Sequence, residues 1–120
     1  MLIRTIGIGV ALVGLGTATA VALHNHLTKS VPEADQQVAE SPKTIRLWFA
    51  EKVEPKFSSI TLMRADSSKI ETPKAAATDD PKSITTQVPG VLTPGKYLIR
   101  WRTAGSDGHA VRGTFSFSVK

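Results

Sequence analysis

A chain of 120 residues with a formal net charge of +5 and no cysteine has room for one domain and excludes disulfide staples and thiolate metal sites. Its charges are interspersed, with no run of five or six of one sign. No nucleic-acid motif accompanies the basic balance, so a solvated surface accounts for the charge and a nucleic-acid partner is not expected.

Met1 to Arg4 supply a single positive charge, and "TIGIGVALVGLGTATAVAL", residues 5–23, carries none. A short positive start, an apolar middle and small residues at the end (Ala18-Thr-Ala20 or Ala20-Val-Ala22) read as a secretory signal peptide. The same stretch is long enough to span a bilayer, which makes an uncleaved anchor the alternative. The predicted organisation is a signal segment over 1–23 and one exported domain over 24–120, periplasmic or extracellular. A domain of that size buries one modest core without staples. Its stability must come from packing, with help from any bound metal.

Cleavage before His24 starts the mature chain at "HNHLTKSVP". A terminal histidine offers its free amine and its ring Nδ1 together, closing a six-membered chelate around one ion. The small-residue rule for signal cleavage favours Ala22 as the last residue removed. That cut leaves Leu23 ahead of the histidine and spoils the chelate. His26 shares a face with His24 in an extended chain and reads as a polar residue at the rim rather than an auxiliary ligand.

From there the chain is short alternating segments bounded by turn residues. Leu27 to Val31 is a weak strand candidate. "TIRLWFA" (44–50) places Ile45, Leu47 and Phe49 on one face and Arg46 and Trp48 on the other. A further strand runs through Phe57 to Met63, and weaker ones over Lys69 to Thr72 and Ser83 to Val88. The polar, alanine-rich 71–82 between them reads as a surface loop with room for a helical turn. "KYLIRWR" (96–102) sets Tyr97, Ile99 and Trp101 opposite Leu98, Arg100 and Arg102, and "GTFSFSV" (113–119) sets Phe115, Phe117 and Val119 opposite serines. Period-two alternation marks half-buried strands. With Ser41-Pro42, Glu54-Pro55, Asp80-Pro81, Pro89-Gly90 and Pro94-Gly95 as punctuation, the pattern predicts an all-β Greek-key β-sandwich of seven or eight antiparallel strands. Trp101 belongs to the core face. Trp48, on the opposite face of its strand, is either an exposed contact residue or part of a second small cluster.

Ahead of the last strand stands "GSDGHAVRG", residues 105–113. A DGH tripeptide alone is a turn signal. If the stretch is extended, Asp107 and His109 point to the same side, and Gly108, lacking a Cβ, leaves room for a close approach to the backbone. Arg100, Arg102 and Arg112 lie near it in sequence and form a candidate positive patch. An amine, two imidazoles and a carboxylate make a nitrogen–oxygen set that suits tetragonal Cu(II) better than Cu(I); Zn(II) also accepts it, with the affinity order favouring copper. The only methionines are Met1 and Met63, so no thioether cluster for Cu(I) exists.

"HNHL" at 24–27, "SVP" at 30–32, "IRLWF" at 45–49, "LTPGKYLIRW" at 92–101 and "SDGHAVRGTFSFSV" at 106–119 resemble the CopC family of exported copper-resistance proteins, in order over essentially all of 24–120. The resemblance implies a cupredoxin-like or immunoglobulin-like sandwich, cleavage directly before His24, and Cu(II) held by His24, Asp107 and His109. Lacking a methionine-rich Cu(I) site, the chain is similar to the Cu(II)-only subgroup. The implied function is an exported, monomeric Cu(II) carrier or buffer in copper homeostasis and resistance, working with an inner-membrane copper-transport partner, and not an enzyme. Two other classes compete. A terminal-histidine copper oxidase or monooxygenase is disfavoured because Asp107 would fill the plane where oxygen needs an open position. A metal-free structural or interaction sandwich would make His24 and the DGH incidental.

Overall fold

The computed structural model describes residues 25–105 and 107–120; the uncharged stretch, His24 and Ser106 lie outside them. The alternating segments form strands with their apolar faces turned inward. In chain order these are β1 (Leu27–Val31), β2 (Gln37–Val38), β3 (Thr44–Phe49), β4 (Ser59–Arg64), β5 (Lys69–Ile70), β6 (Ala76–Ala77), β7 (Ser83–Gln87), β8 (Gly95–Ala104) and β9 (Ala110–Val119). They pair as two sheets, β1-β3-β7-β6 and β2-β9-β8-β4-β5, and no α-helix occurs among the described residues. The expected β-sandwich is therefore observed.

Four details depart from the sequence expectation. The described strands number nine rather than seven or eight, because β2 and β6 are two-residue pairings set by their neighbours. One pairing is parallel, Gln37 and Val38 of β2 against Ser118 and Val119 of β9. The 71–82 segment holds β6 rather than a helical turn, with Ala76 and Ala77 paired to Thr85 and Ile84. The strand expected from Phe57 begins instead at Ser59, because Pro55 to Phe57 wind into a 3₁₀ turn. Pro55 has no N–H to give a ladder, and the Ser58 hydroxyl donates back to the Glu54 carbonyl at 2.7 Å, closing that turn.

Between the sheets lie Ile45, Leu47 and Phe49 of β3, Ile60 and Leu62 of β4, Ile84 of β7, Tyr97, Ile99 and Trp101 of β8, and Phe117 and Val119 of β9. Phe115 is half-buried and packs against this cluster from its rim. Each such side chain contributes about 1.5–3 kcal/mol by leaving water. Tyr97 is buried because its hydroxyl donates to the Thr93 carbonyl at 2.6 Å while its ring stacks on Phe117, which meets both ends of an amphipathic side chain. Phe49 and Trp101 meet edge to face, centroids 5.2 Å apart, and tie the first sheet to the second.

That contact also orients one end of the sandwich. Leu27 pairs with Phe49, Phe49 packs on Trp101, and Trp101 lies opposite Gly113. Three residues beyond Trp101, Ala104 pairs with Ala110 and the β8–β9 hairpin ends. The start of β1 and the tip of this hairpin thus share one end of the molecule. Gly113 is required there: a Cβ on it would stand 2.6 Å from Cζ2 of the Trp101 indole, so only glycine lets the ring lie flat on β9.

Candidate metal centre

The connection at that hairpin tip carries Asp107, Gly108 and His109. Gly108 donates its N–H to the Gly105 carbonyl at 3.0 Å and has a φ of 79°. The Asp107 Oδ1 accepts the His109 backbone N–H at 3.0 Å. An aspartate bonding to the backbone two residues on is an Asx turn. It leaves Oδ2 facing the imidazole, 3.4 Å from the His109 Nδ1. The two side chains converge, as the sequence predicted, but through a turn and not through an extended stretch. Gly108 also has a backbone reason to be glycine: its φ is left-handed, a conformation that L side chains rarely adopt, while a Cβ on it would meet no protein atom within 4 Å.

The Asp107 and His109 side chains are 67% and 70% exposed. As an ion pair at that exposure they contribute little to stability. As donors they are open to an incoming ion. Ligands each about 2.0 Å from one ion stand about 3 Å apart, so small side-chain rotations bring Oδ2 and Nδ1 to that spacing. A carboxylate and an imidazole suit Cu(II) or Zn(II). Among the described residues no group of three or more histidine, cysteine, aspartate or glutamate side chains gathers for a metal; Asp107 and His109 stand as a pair.

His24, the third expected donor, lies outside the described residues. The residues after it are well anchored. His26 is exposed, and its carbonyl accepts the Ala50 N–H at 2.9 Å. Asn25 grips the next residue twice: its Oδ1 accepts the Glu51 N–H at 2.8 Å and its Nδ2 donates to the Glu51 carbonyl at 3.3 Å. Sequence reasoning passed over Asn25. The signal was present, since an asparagine beside a strand end can stand in for a backbone unit.

Of the two readings open for Trp48, the structure shows the second, a small cluster on the outer face of the first sheet. Lys29 Nζ lies 4.7 Å from its ring centroid and the Arg46 guanidinium 4.5 Å from it. Arg46 is in turn held by Asp79 at 2.9 Å and by the Ser83 hydroxyl at 2.9 Å.

The CopC domain family model matches residues 27–120. Copper resistance protein C of Escherichia coli is 37% identical over 113 residues, 88% of this chain and 89% of that protein. The crystal structure of CopC from Methylosinus trichosporium OB3b aligns with a TM-score of 0.75 at 35% identity, covering 81% of this chain and 94% of that one. PcoC, described as a methionine rich copper resistance protein from Escherichia coli, aligns with a TM-score of 0.71 at 36% identity over 81% of this chain and 99% of that one.

Proposed function

The chain belongs to the CopC family, whose domain spans residues 27–120, and from that premise we propose that it carries or buffers Cu(II) outside the cytoplasm through His24, Asp107 and His109. Family membership makes it a copper-binding protein of the copper-resistance type and not an enzyme. Three readings go further. The copper is Cu(II), the leader is removed directly before His24, and the mature protein is a monomer that exchanges its ion with a copper-transport protein of the inner membrane.

The observation that carries this reading is the Asp107–His109 pair, Oδ2 to Nδ1 3.4 Å, exposed at the end of the sandwich where the first strand begins. A terminal His24 would add its amine and ring nitrogen as a chelate, the His109 imidazole a third nitrogen, and the Asp107 carboxylate an anionic oxygen. Such a set matches Cu(II). The sulfur inventory supports the oxidation state: this chain has two methionines, one of them Met1, whereas PcoC is described as methionine rich. With a carboxylate as fourth donor the set would leave no open position for oxygen, which suits storage and transfer rather than oxygen activation.

The test is a Cu(II) titration of the mature chain beginning at His24 against the same chain with one residue added before it. The native start is expected to bind one Cu(II) tightly and no comparable Cu(I). The extended start keeps every side chain but moves the amine out of the chelate, so its affinity should fall steeply. Equal affinity for the two would overturn the terminal-histidine mechanism.

A further inference from the structure

The outward face of the second sheet carries a charge arrangement that copper binding does not use. Arg100 and Arg102 of β8 and Arg112 of β9 are all exposed. The register sets Arg102 directly opposite Arg112 and Arg100 opposite Thr114. Like charges directly opposed weaken a strand pair. Among the described residues none of the three guanidinium groups is hydrogen-bonded or ion-paired. The first sheet shows the opposite treatment of an arginine: Arg46 is engaged by Asp79, Ser83, Thr78 and the Trp48 ring.

The surroundings keep this face positive and open. On β4 the residues opposite Arg102 and Arg100 are Ser59 and Thr61, small and uncharged. The adjoining groove adds Lys56, Lys69 and Lys74 to Ser59 and Thr61, and no carboxylate lines it. Arg102 and Arg112 each stand two residues from the last hairpin pair, Ala104–Ala110, or about 7 Å along the strands. Beyond that pair lies the loop with Asp107 and His109.

We propose that the Arg100–Arg102–Arg112 face is a docking surface for an acidic patch on a protein partner, set so that docking brings the Asp107–His109 loop to that partner. The planar guanidinium pairs carboxylates in fixed, two-pronged geometry, and an uncompensated positive face steers such a partner at a rate that falls with salt. A protein is favoured over an anionic bilayer because β4, β8 and β9 carry none of the exposed large hydrophobics, Val31, Phe57 and Val91; the one beside the groove, Phe57, lies under the Lys56 ammonium, and a single ring gives little apolar area to insert among lipid chains. The inference rests on the copper reading only for what is handed over; the docking itself is independent of it.

The experiment places the photo-crosslinker p-benzoylphenylalanine at Thr114 in the full chain, expressed in its own host, with and without R100E/R102E/R112E. A protein adduct is expected, its cross-linked peptide rich in aspartate and glutamate, with yield falling about tenfold in the triple variant. Arg→Lys at the same three positions should retain most of the yield, and reversing the acidic residues of the partner peptide to arginine should restore crosslinking to the glutamate variant. Cu(II) affinity of both variants, titrated alongside, should stay within about twofold of the parent, which also reports an intact fold. Undiminished crosslinking by the glutamate variant, or failure of the charge swap to restore it, overturns the proposal. So does charge-dependent pelleting of the full chain with phosphatidylglycerol–phosphatidylethanolamine vesicles in place of a protein adduct. If docking persists while the parent binds no copper, the copper-site reading falls and the docking surface stands.

Discussion

Asn25 and Glu51 face each other across the open end of β1 and β3 and exchange two hydrogen bonds, 2.8 and 3.3 Å long, in which the asparagine amide takes the place of a strand backbone. The ladder between the strands is thereby prolonged to the residue after His24. Without the clamp the last fixed point is the His26 carbonyl, bonded to Ala50.

Asn25→Ala is expected to cost about 1 kcal/mol or less in folding stability, since the exposed groups regain water. Its larger effect should be on copper. Freeing one backbone residue that must be re-ordered on binding costs about 1–2 kcal/mol, or roughly 5- to 30-fold in Cu(II) affinity. Asn25→Asp keeps the acceptor and loses the donor, and should fall between the two. Copper titration beside thermal unfolding separates the effects, and an unchanged copper affinity would mean that the clamp does not hold the ligand.

Gly113→Ala tests the seating of Trp101. The added methyl would stand 2.6 Å from the indole, so ring or strand must shift, and overpacking of this kind costs about 1–3 kcal/mol. The W101F/G113A double variant should be less destabilised than the sum of the singles, because a smaller ring gives the methyl space. Urea midpoints of the four proteins measure the coupling; strict additivity would mean that the ring does not confine the glycine.

Acid should loosen the β4–β5 turn. The Ser68 hydroxyl and then the Ser68 backbone N–H bond to the Asp66 carboxyl and hold it below the usual carboxylate range, with Arg64 adding to the effect. A carboxyl lowered on folding contributes stability that is fully present above its unfolded value, about 3.9, and lost as pH falls through its folded value. Asp66→Asn should therefore be the less stable protein near neutrality and converge on the parent below about pH 4. Unfolding midpoints measured across that range check the sign.

How far each element was legible follows from where its determinants sit. β3, β8 and β9 carry their own alternation, so Ile45, Leu47, Phe49, Tyr97, Ile99, Trp101, Phe117 and Val119 could be assigned to the core from order alone. β2 and β6 are two residues each and depend on Ser118 and Thr85 across the gap, information that no local window holds. The Asp107–His109 pairing was legible while its cause was not: a period-two argument and an Asx turn both bring residues two apart together. Asn25 was half legible: its residue type marks a side chain able to mimic a backbone unit, but its partner is 26 residues away.

The Asx turn separates two jobs that Asp107 performs, and substitutions can pull them apart. Oδ1 closes the turn on His109 N–H and Oδ2 faces the imidazole. Asp107→Asn retains a side-chain oxygen for the turn and loses the charge, whereas Asp107→Ala loses both, so Cu(II) affinity should fall less for Asn than for Ala. Gly108→Ala keeps every donor but forces an alanine into φ of 79°, at a cost of about 1–2 kcal/mol to the loop. Gly108→Asn, better tolerated in that region, should bind more tightly than Gly108→Ala. His109→Ala removes a donor outright and should exceed the roughly 10- to 100-fold loss typical of an outer-shell change. For the parent, affinity should fall on acidification, because the nitrogen ligands must shed protons to bind. If Asp107→Asn and Asp107→Ala weaken copper equally, the turn contributes nothing to the site and the carboxylate acts through its charge alone.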